Sequence, residues 1–316
     1  MGAYSDRMRS GLITPVSIAT GMMLFAIGDN FIVLIAESMS VWQYHALRAA
    51  LVLPGMALVM ALLGLAGTIR VKRPAAVAAR ALFTVLALLL YFAAIPAVGV
   101  SLAAAGLFTS PVFVVLISVM FFGENIGWRR VVGLVLGLAG VCLVLEIGTQ
   151  PIRAMALAPM LGGVLYALNV IWTRQFCQQE SAGALAFWNM SMFLVLGTLG
   201  MLLTPWIFGL VGHFEGTSFA TRPVSWPDWQ STGIVAALGV SGALGMVLLA
   251  LGYRSAPSSY AALFDFSFLF WVPFFAWLVH GETLTRPVAG GMALIVVAGI
   301  LALSGNVRQA KAGDAG

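Results

Sequence analysis

The chain has 316 residues, of which 61% are apolar and 9% carry a formal charge, with a net charge of +5. Soluble domains average about 25% charged residues, so a soluble globular fold is excluded. The mean hydropathy of +1.02 agrees, and ten bilayer crossings of about 20 residues each would leave no room for a sizeable soluble domain.

Arg7 and Arg9 precede an apolar run, Gly11–Ala36, that is too long for a signal-peptide core and contains Asp29 and Asn30. It reads as a first membrane helix. Walking on, spans are expected near 12–35, 41–64, 76–96, 99–122 and 128–146, then near 154–174, 183–212, 230–252, 257–280 and 286–305. The seventh run is long for one straight crossing. Pro54, Pro111 and Pro273 fall inside spans and are expected to kink helices two, four and nine. Gly133, Gly137, Gly140, Gly290, Gly291 and Gly299 would let helices approach closely. Cys142 and Cys177 read as packing residues, since two cysteines make no disulfide framework.

The basic residues segregate across this ten-span layout. Arg7, Arg9, Arg70, Lys72, Arg73, Arg80, Arg129, Arg130, Arg174, Arg254, Arg308 and Lys311 fall on the side of the termini, against Arg153, Arg222 and Arg286 on the other. Such a bias puts both termini in the cytoplasm. It also locates the positive charge in short gaps between apolar runs, which argues against nucleic acid as a partner.

The sequence repeats itself. Ser101, Ala103, Ala104, Gly123, Glu124 and Gly133 match Ser259, Ala261, Ala262, Gly281, Glu282 and Gly291 at one constant offset. Leu24, Ala26 and Ile27 lie over Leu165, Ala167 and Leu168 at a smaller offset, and the hydrophilic segment 213–229 accounts for the difference. The expected fold is an all-α membrane protein of two five-helix repeats, 12–146 and 154–305, with an extracellular insertion at 213–229 and cytoplasmic tails at 1–11 and 306–316. An odd number of spans per repeat inverts the second copy, and inverted repeats around a midplane site are a recurring plan of secondary transporters.

The stretch S-P-V-F-V-V-L-I-S-V-M-F-F-G-E-N-I-G-W-R-R-V-V-G-L-V-L-G-L-A-G-V, Ser110–Val141, resembles the EamA domain of the drug/metabolite transporter superfamily, with a second copy at Phe268–Leu301. Gly28–Phe31 and Arg48 stand where that family has a W-G-x-N-type element and a helix-two arginine, although the tryptophan position holds Ile27. The family's helix-four proline is Pro111; its repeat position is Leu269, with Pro273 four residues on. The resemblance implies a ten-helix inner-membrane carrier. It also implies a structural role for Glu124 and Glu282 of the Gly-Glu element. The helix-one aspartate is similar to that of carriers of S-adenosylmethionine and of riboflavin.

Ionisable residues inside spans are costly in lipid and mark functional sites. Asp29 and Arg48 lie at matching depths, ~9–10 Å from the same membrane face, on helices joined by a short loop. Two readings stand: a structural pair tying helices one and two, or a pair that contacts a charged substrate group or a coupling proton. Asp265, in helix nine, is matched by Leu107 in the other repeat, so its charge belongs to no symmetric framework and suits substrate or proton handling. Asn30, Tyr91, Tyr166, Asn169, Asn189 and Phe268 offer further polar or aromatic groups. A carboxylate among aromatics and amides suits a cationic or flat polar metabolite.

No metal-ligand spacing, nucleophile elbow, phosphate loop or paired-cysteine motif is present, so an enzyme is poorly supported and no cofactor is implied. The reading is a carrier of a small polar metabolite working by alternating access, as a monomer or homodimer whose partners are the substrate and the bilayer. A lipid flippase, or a non-transporting membrane enzyme or assembly protein, is the alternative.

Overall fold

A computed structural model of the chain describes residues 2–122, 128–144, 154–211, 218–226, 228–255, 267–281, 285–294 and 296–298. Every regular element among them is helical. In chain order these are α1 (Gly2–Ala36), α2 (Val41–Leu62), α3 (Pro74–Val98), α4 (Val100–Leu107), α5 (Ser110–Phe122) and α6 (Trp128–Val144). They continue as α7 (Leu157–Phe176), α8 (Ala182–Val211), the short α9 (Ser218–Thr221), α10 (Trp229–Ser255) and α11 (Phe268–His280). A last helical stretch covers 286–294 and 296–298.

Four segments, Val16–Ala36, Val41–Leu62, Pro74–Val98 and Gly183–Trp206, are long and apolar enough to cross a membrane. Their outward faces are what lipid requires. Leu58, Leu62, Leu199, Leu202 and Trp206 are exposed, which would be a liability in water and is the solvated state in hydrocarbon.

Local chemistry sets the ends. Ser40 caps α2 by accepting the Gln43 amide at 3.2 Å. Pro74 opens α3, where its missing N–H costs nothing. Gly99, at φ 83°, closes α3 in a conformation that L side chains rarely adopt. Asp228 accepts the Ser231 amide at 2.6 Å ahead of α10. That backbone bond, with a second from the Ser231 side chain, holds the exposed carboxyl below the usual carboxylate range.

The fourth expected span is broken rather than merely kinked. Helix α4 stops at Leu107, and α5 starts at Ser110. Thr109 donates its hydroxyl to the Gly106 carbonyl at 2.7 Å, and its amide reaches the same carbonyl at 3.2 Å. Pro111, next but one, brings no N–H to continue the ladder, so the chain restarts with proline in the first turn of α5. By contrast α2, α3, α8 and α11 run through Pro54, Pro96, Pro205 and Pro273 without ending. The long seventh run is one 30-residue helix, α8. At about 45 Å it exceeds a typical hydrocarbon core.

Helix α1 packs along α10 and α11, α2 along α8 and α10, α3 along α7 and α8, and α4 along both α7 and α11. Gly197 makes the α2–α8 approach possible. A Cβ there would meet the Ala46 amide nitrogen at 2.7 Å and the Trp42 carbonyl oxygen at 2.8 Å. The α1–α10 crossing has the same character, since a Cβ on Gly21 would lie 2.9 Å from the Gly245 carbonyl oxygen. The buried core runs where α1, α2, α3 and α8 meet, through Ile32, Met39, Tyr44, Tyr91, Ile95 and Phe193.

Candidate functional site

Two polar clusters lie within this apolar packing, one toward each end of α3. The first belongs to the end that carries the α1–α2 turn. Asp29 of α1 accepts a hydrogen bond from the Tyr91 hydroxyl of α3 at 2.8 Å. Arg48 of α2 is within electrostatic reach of that carboxylate. Its guanidinium carbon lies 5.3 Å from the Tyr44 ring centroid, 5.8 Å from Phe92 and 5.0 Å from Phe193. Three π faces thus stand in for part of the hydration that the cation has given up. The structure bonds Asp29 to Tyr91, leaves Arg48 within electrostatic reach and sets it on a shelf of rings.

His45, one turn before Arg48, completes the layer. It is fully buried and stacks on Phe193 at 4.6 Å with the ring planes 19° apart. Tyr44 and Phe92 pack against it at 4.8 Å and 4.9 Å. Neither ring nitrogen has a hydrogen-bond partner, and neither has Nε of Arg48. Buried polar atoms are nearly always paired, so these three atoms, on residues one helical turn apart, stand out. The sequence reading passed over His45 because it looked for histidines near one another. The informative spacing was His45 to Arg48, two polar residues on one face of an apolar helix.

Asn30 turns away from this layer and ties α1 to α11. Its amide donates to the Ala26 carbonyl at 2.8 Å and to Val272 of α11 at 3.2 Å. The His280 ring donates in turn to the Asn30 carbonyl at 2.7 Å. Phe268 opens α11 and stacks on Phe108 at 5.3 Å, beside the α4–α5 break. Pro273 is buried within α11, and Pro111 is the second residue of α5. Asp265, Glu124 and Glu282 lie outside the described residues.

Asn169, Asn189 and Tyr166 gather at the opposite end, around a residue the sequence reading counted only as a loop charge. Arg80, on the second turn of α3, donates from Nε to Thr173 Oγ1 at 2.9 Å. From Nη1 it donates to Asn189 Oδ1 at 3.1 Å and to the Leu185 carbonyl at 3.4 Å. Thr173 passes its own hydroxyl proton to the Asn169 carbonyl at 2.7 Å. Tyr166, on α7, is within electrostatic reach of the guanidinium. Arg80 therefore stitches α3 to α7 and α8 with neutral acceptors.

Both ends of the bundle are laced further. Near Arg80, the Glu180 carboxylate accepts the Lys72 amide at 3.0 Å and the Arg73 amide at 2.9 Å. Trp172 and Trp188 donate to the carbonyls of Ala76 and Ile69. At the α1–α2 end, segment 218–226 lies across the turn. Trp42 donates to the Ala220 carbonyl at 2.9 Å, Arg222 to Glu37 at 2.6 Å and the Ser225 hydroxyl to Ser38 at 2.9 Å. Gln43 and Ser225 bond each other both ways, and Phe219 is buried in the core beneath.

Comparison with known proteins shows what the chain is similar to. Residues 12–146 match the model of the EamA-like transporter family. Two proteins of Helicobacter pylori strains, each named an uncharacterized transporter, are 23% and 24% identical over 228 residues, 72% of either chain. A protein of Rhizobium johnstonii named a riboflavin transporter is 25% identical over 221 residues, 70% of this chain and 67% of its own. A protein of known crystal structure shares the fold, with a TM-score of 0.61 and 17% identity over 91% of this chain and 96% of the other. The chain is thus similar to the EamA-like transporters over 12–146 and to proteins named as transporters over most of its length.

Proposed function

We propose that this chain is a secondary transporter of the bacterial cytoplasmic membrane. It carries a small polar metabolite by alternating access across ten spans arranged as two inverted five-helix repeats, with both termini in the cytoplasm. The observation that carries the proposal is the Asp29–Tyr91–Arg48 layer. It places a carboxylate and a guanidinium inside the apolar core, walled on one side by helices of the first repeat and on the other by Phe193 of the second.

Helix packing supports the repeat. If α4 and α5 form one span, α1, α2, α3 and α4–α5 are spans one to four, and α7, α8, α10 and α11 are spans six to nine. Exchanging each span with the one five positions on turns α1–α10 into α7–α3. It likewise turns α3–α8 into α10–α2 and α7–α4 into α1–α11, and all of these pairs pack. The α2–α8 and α4–α11 pairs map onto themselves. Chance similarity between Ala- and Leu-rich helices does not generate such a set.

A carboxylate, a cation and flat aromatic walls fit a planar or amino-acid-like metabolite, and the resemblance to carriers of riboflavin and S-adenosylmethionine names two to test. Proton coupling would run through Asp29 or Asp265. The test is uptake of labelled riboflavin, S-adenosylmethionine and aromatic amino acids into vesicles holding the purified protein, with and without a proton gradient. Saturable uptake of one of them, lost in Asp29→Asn while the folded yield holds, is expected. Wild-type uptake in Asp29→Asn would remove the layer from the mechanism.

A further inference from the structure

The geometry points to His45 and Arg48 as a donor subsite that receives a carbonyl or carboxylate oxygen of a planar, conjugated substrate, in the place that the Phe193 ring now fills. The inference rests on the transport reading and sharpens it.

Both residues touch the same three rings, Tyr44, Phe92 and Phe193. Tyr44 comes from α2 itself and Phe92 from the adjacent α3, whereas Phe193 arrives from α8, across the approach that Gly197 allows. Phe193 lies nearly parallel to the imidazole and nearest of the three to the guanidinium. That is the contact a flat conjugated ligand would make. A phenyl ring offers only its π face, however, and leaves the imidazole nitrogens and Arg48 Nε without partners.

Asp29 is not the acceptor for His45 here, because neither ring nitrogen has a hydrogen-bond partner, while Asp29 is bonded by Tyr91. One His45 ring nitrogen can donate an N–H, and Arg48 adds guanidinium N–H groups, so an oxygen acceptor set between them would take a hydrogen bond from each. The second ring nitrogen is left to accept from a donor group of the same ligand or from water. Withdrawing α8 from α2 would uncover the imidazole, and the substrate ring would replace Phe193 in the stack. An acceptor-free ring could stack equally well, and a cation would meet Arg48. The subsite therefore selects a flat body that carries an oxygen acceptor.

Purified full-length protein is titrated with riboflavin, whose flat ring system carries two carbonyl oxygens and no carboxylate. It is also titrated with tryptophan and tryptamine, which share a ring but differ in the carboxylate. A thermal shift with riboflavin identifies the carbonyl source, and a shift with tryptophan but not tryptamine identifies the carboxylate. Equal shifts with tryptophan and tryptamine would overturn the proposal. His45→Phe keeps the ring and the stack while removing both nitrogens. It should bind the active probe at least about tenfold more weakly, the loss of a hydrogen bond to a polar group. It should also melt about 2–4 °C higher without ligand, since two buried orphans are gone. Unchanged affinity, or a lower ligand-free melting temperature, would overturn the inference by showing the imidazole to be structural. If no probe shifts the wild type, the proposed substrate class fails, and the ligand-free melting temperature still decides the role of His45.

Discussion

Arg80 and Arg48 make opposite use of their charge. Arg80 hands its donors to a threonine hydroxyl, an asparagine amide and a main-chain carbonyl on two neighbouring helices. Arg48 rests on rings and keeps a buried N–H unanswered. A polar cluster with its bonds made rigidifies the helices it joins, whereas one with bonds left over is costly to keep unless a ligand completes it. Arg80 is a fastening, and under the proposed function Arg48 is a receptor.

Substituting each arginine gives the largest contrast. Arg80→Ala should strip three hydrogen bonds from the α3–α7–α8 junction and lower stability by about 3 kcal/mol, seen as a clear fall in melting temperature. Arg48→Ala should barely move the melting temperature yet abolish uptake in vesicles. Equal destabilisation by the two would erase the distinction between them.

Tyr91→Phe removes only the hydroxyl that engages Asp29. Uptake should drop by about tenfold with folded yield intact, in line with a hydrogen bond to a charged group of about 1.5 kcal/mol. A rate equal to the wild type would show that the tyrosine merely packs.

Smaller effects concern segment 218–226. Gln43→Ala removes its reciprocal bonds with Ser225, and proteinase K should then cut within 218–226 several-fold faster, with melting temperature shifted by only a degree or two. The smallest effect follows from Asp228. Because its carboxyl titrates below the usual value, its cap is complete at neutral pH and persists as pH falls through the ordinary carboxylate range. The cap is lost only when pH drops through the lowered value, so Asp228→Asn should match the wild type in strong acid and differ slightly above it, measured as cleavage rate against pH.

The sequence announced the apolar helices and their ends because the signals were local. The Ser40 cap, Pro74 and Gly99 each sit at a boundary within a residue or two of where hydropathy put it. The break at Thr109 was harder to see, since it depends on a side-chain hydroxyl taking the Gly106 carbonyl just ahead of a proline that cannot donate to the ladder. Of the candidate site, the charged members were legible from the cost of burying Asp29 and Arg48. Their aromatic shelf was not, because Phe193 reaches Arg48 only through the way α8 lies on α2, and nothing in the spacing of either helix reveals that. Arg80 was misjudged for a different reason: counting charges by side ignores depth, and this one begins a full turn inside its helix.

The hydrophilic segment across the α1–α2 turn gives that end a different set of bonds from those of Glu180, Trp172 and Trp188 at the opposite end. In a carrier whose two access states are otherwise related by exchanging the repeats, such an addition makes the states unequal in energy. Each net hydrogen bond of about 1 kcal/mol that exists in only one of them shifts the resting ratio roughly fivefold. An empty carrier would then wait with that mouth shut, and a solute approaching from there would find few molecules ready to receive it. Its apparent dissociation constant would rise by the inverse of that small fraction. Direction would still be set by the gradients, but the two faces of the membrane would see a carrier of different apparent affinity.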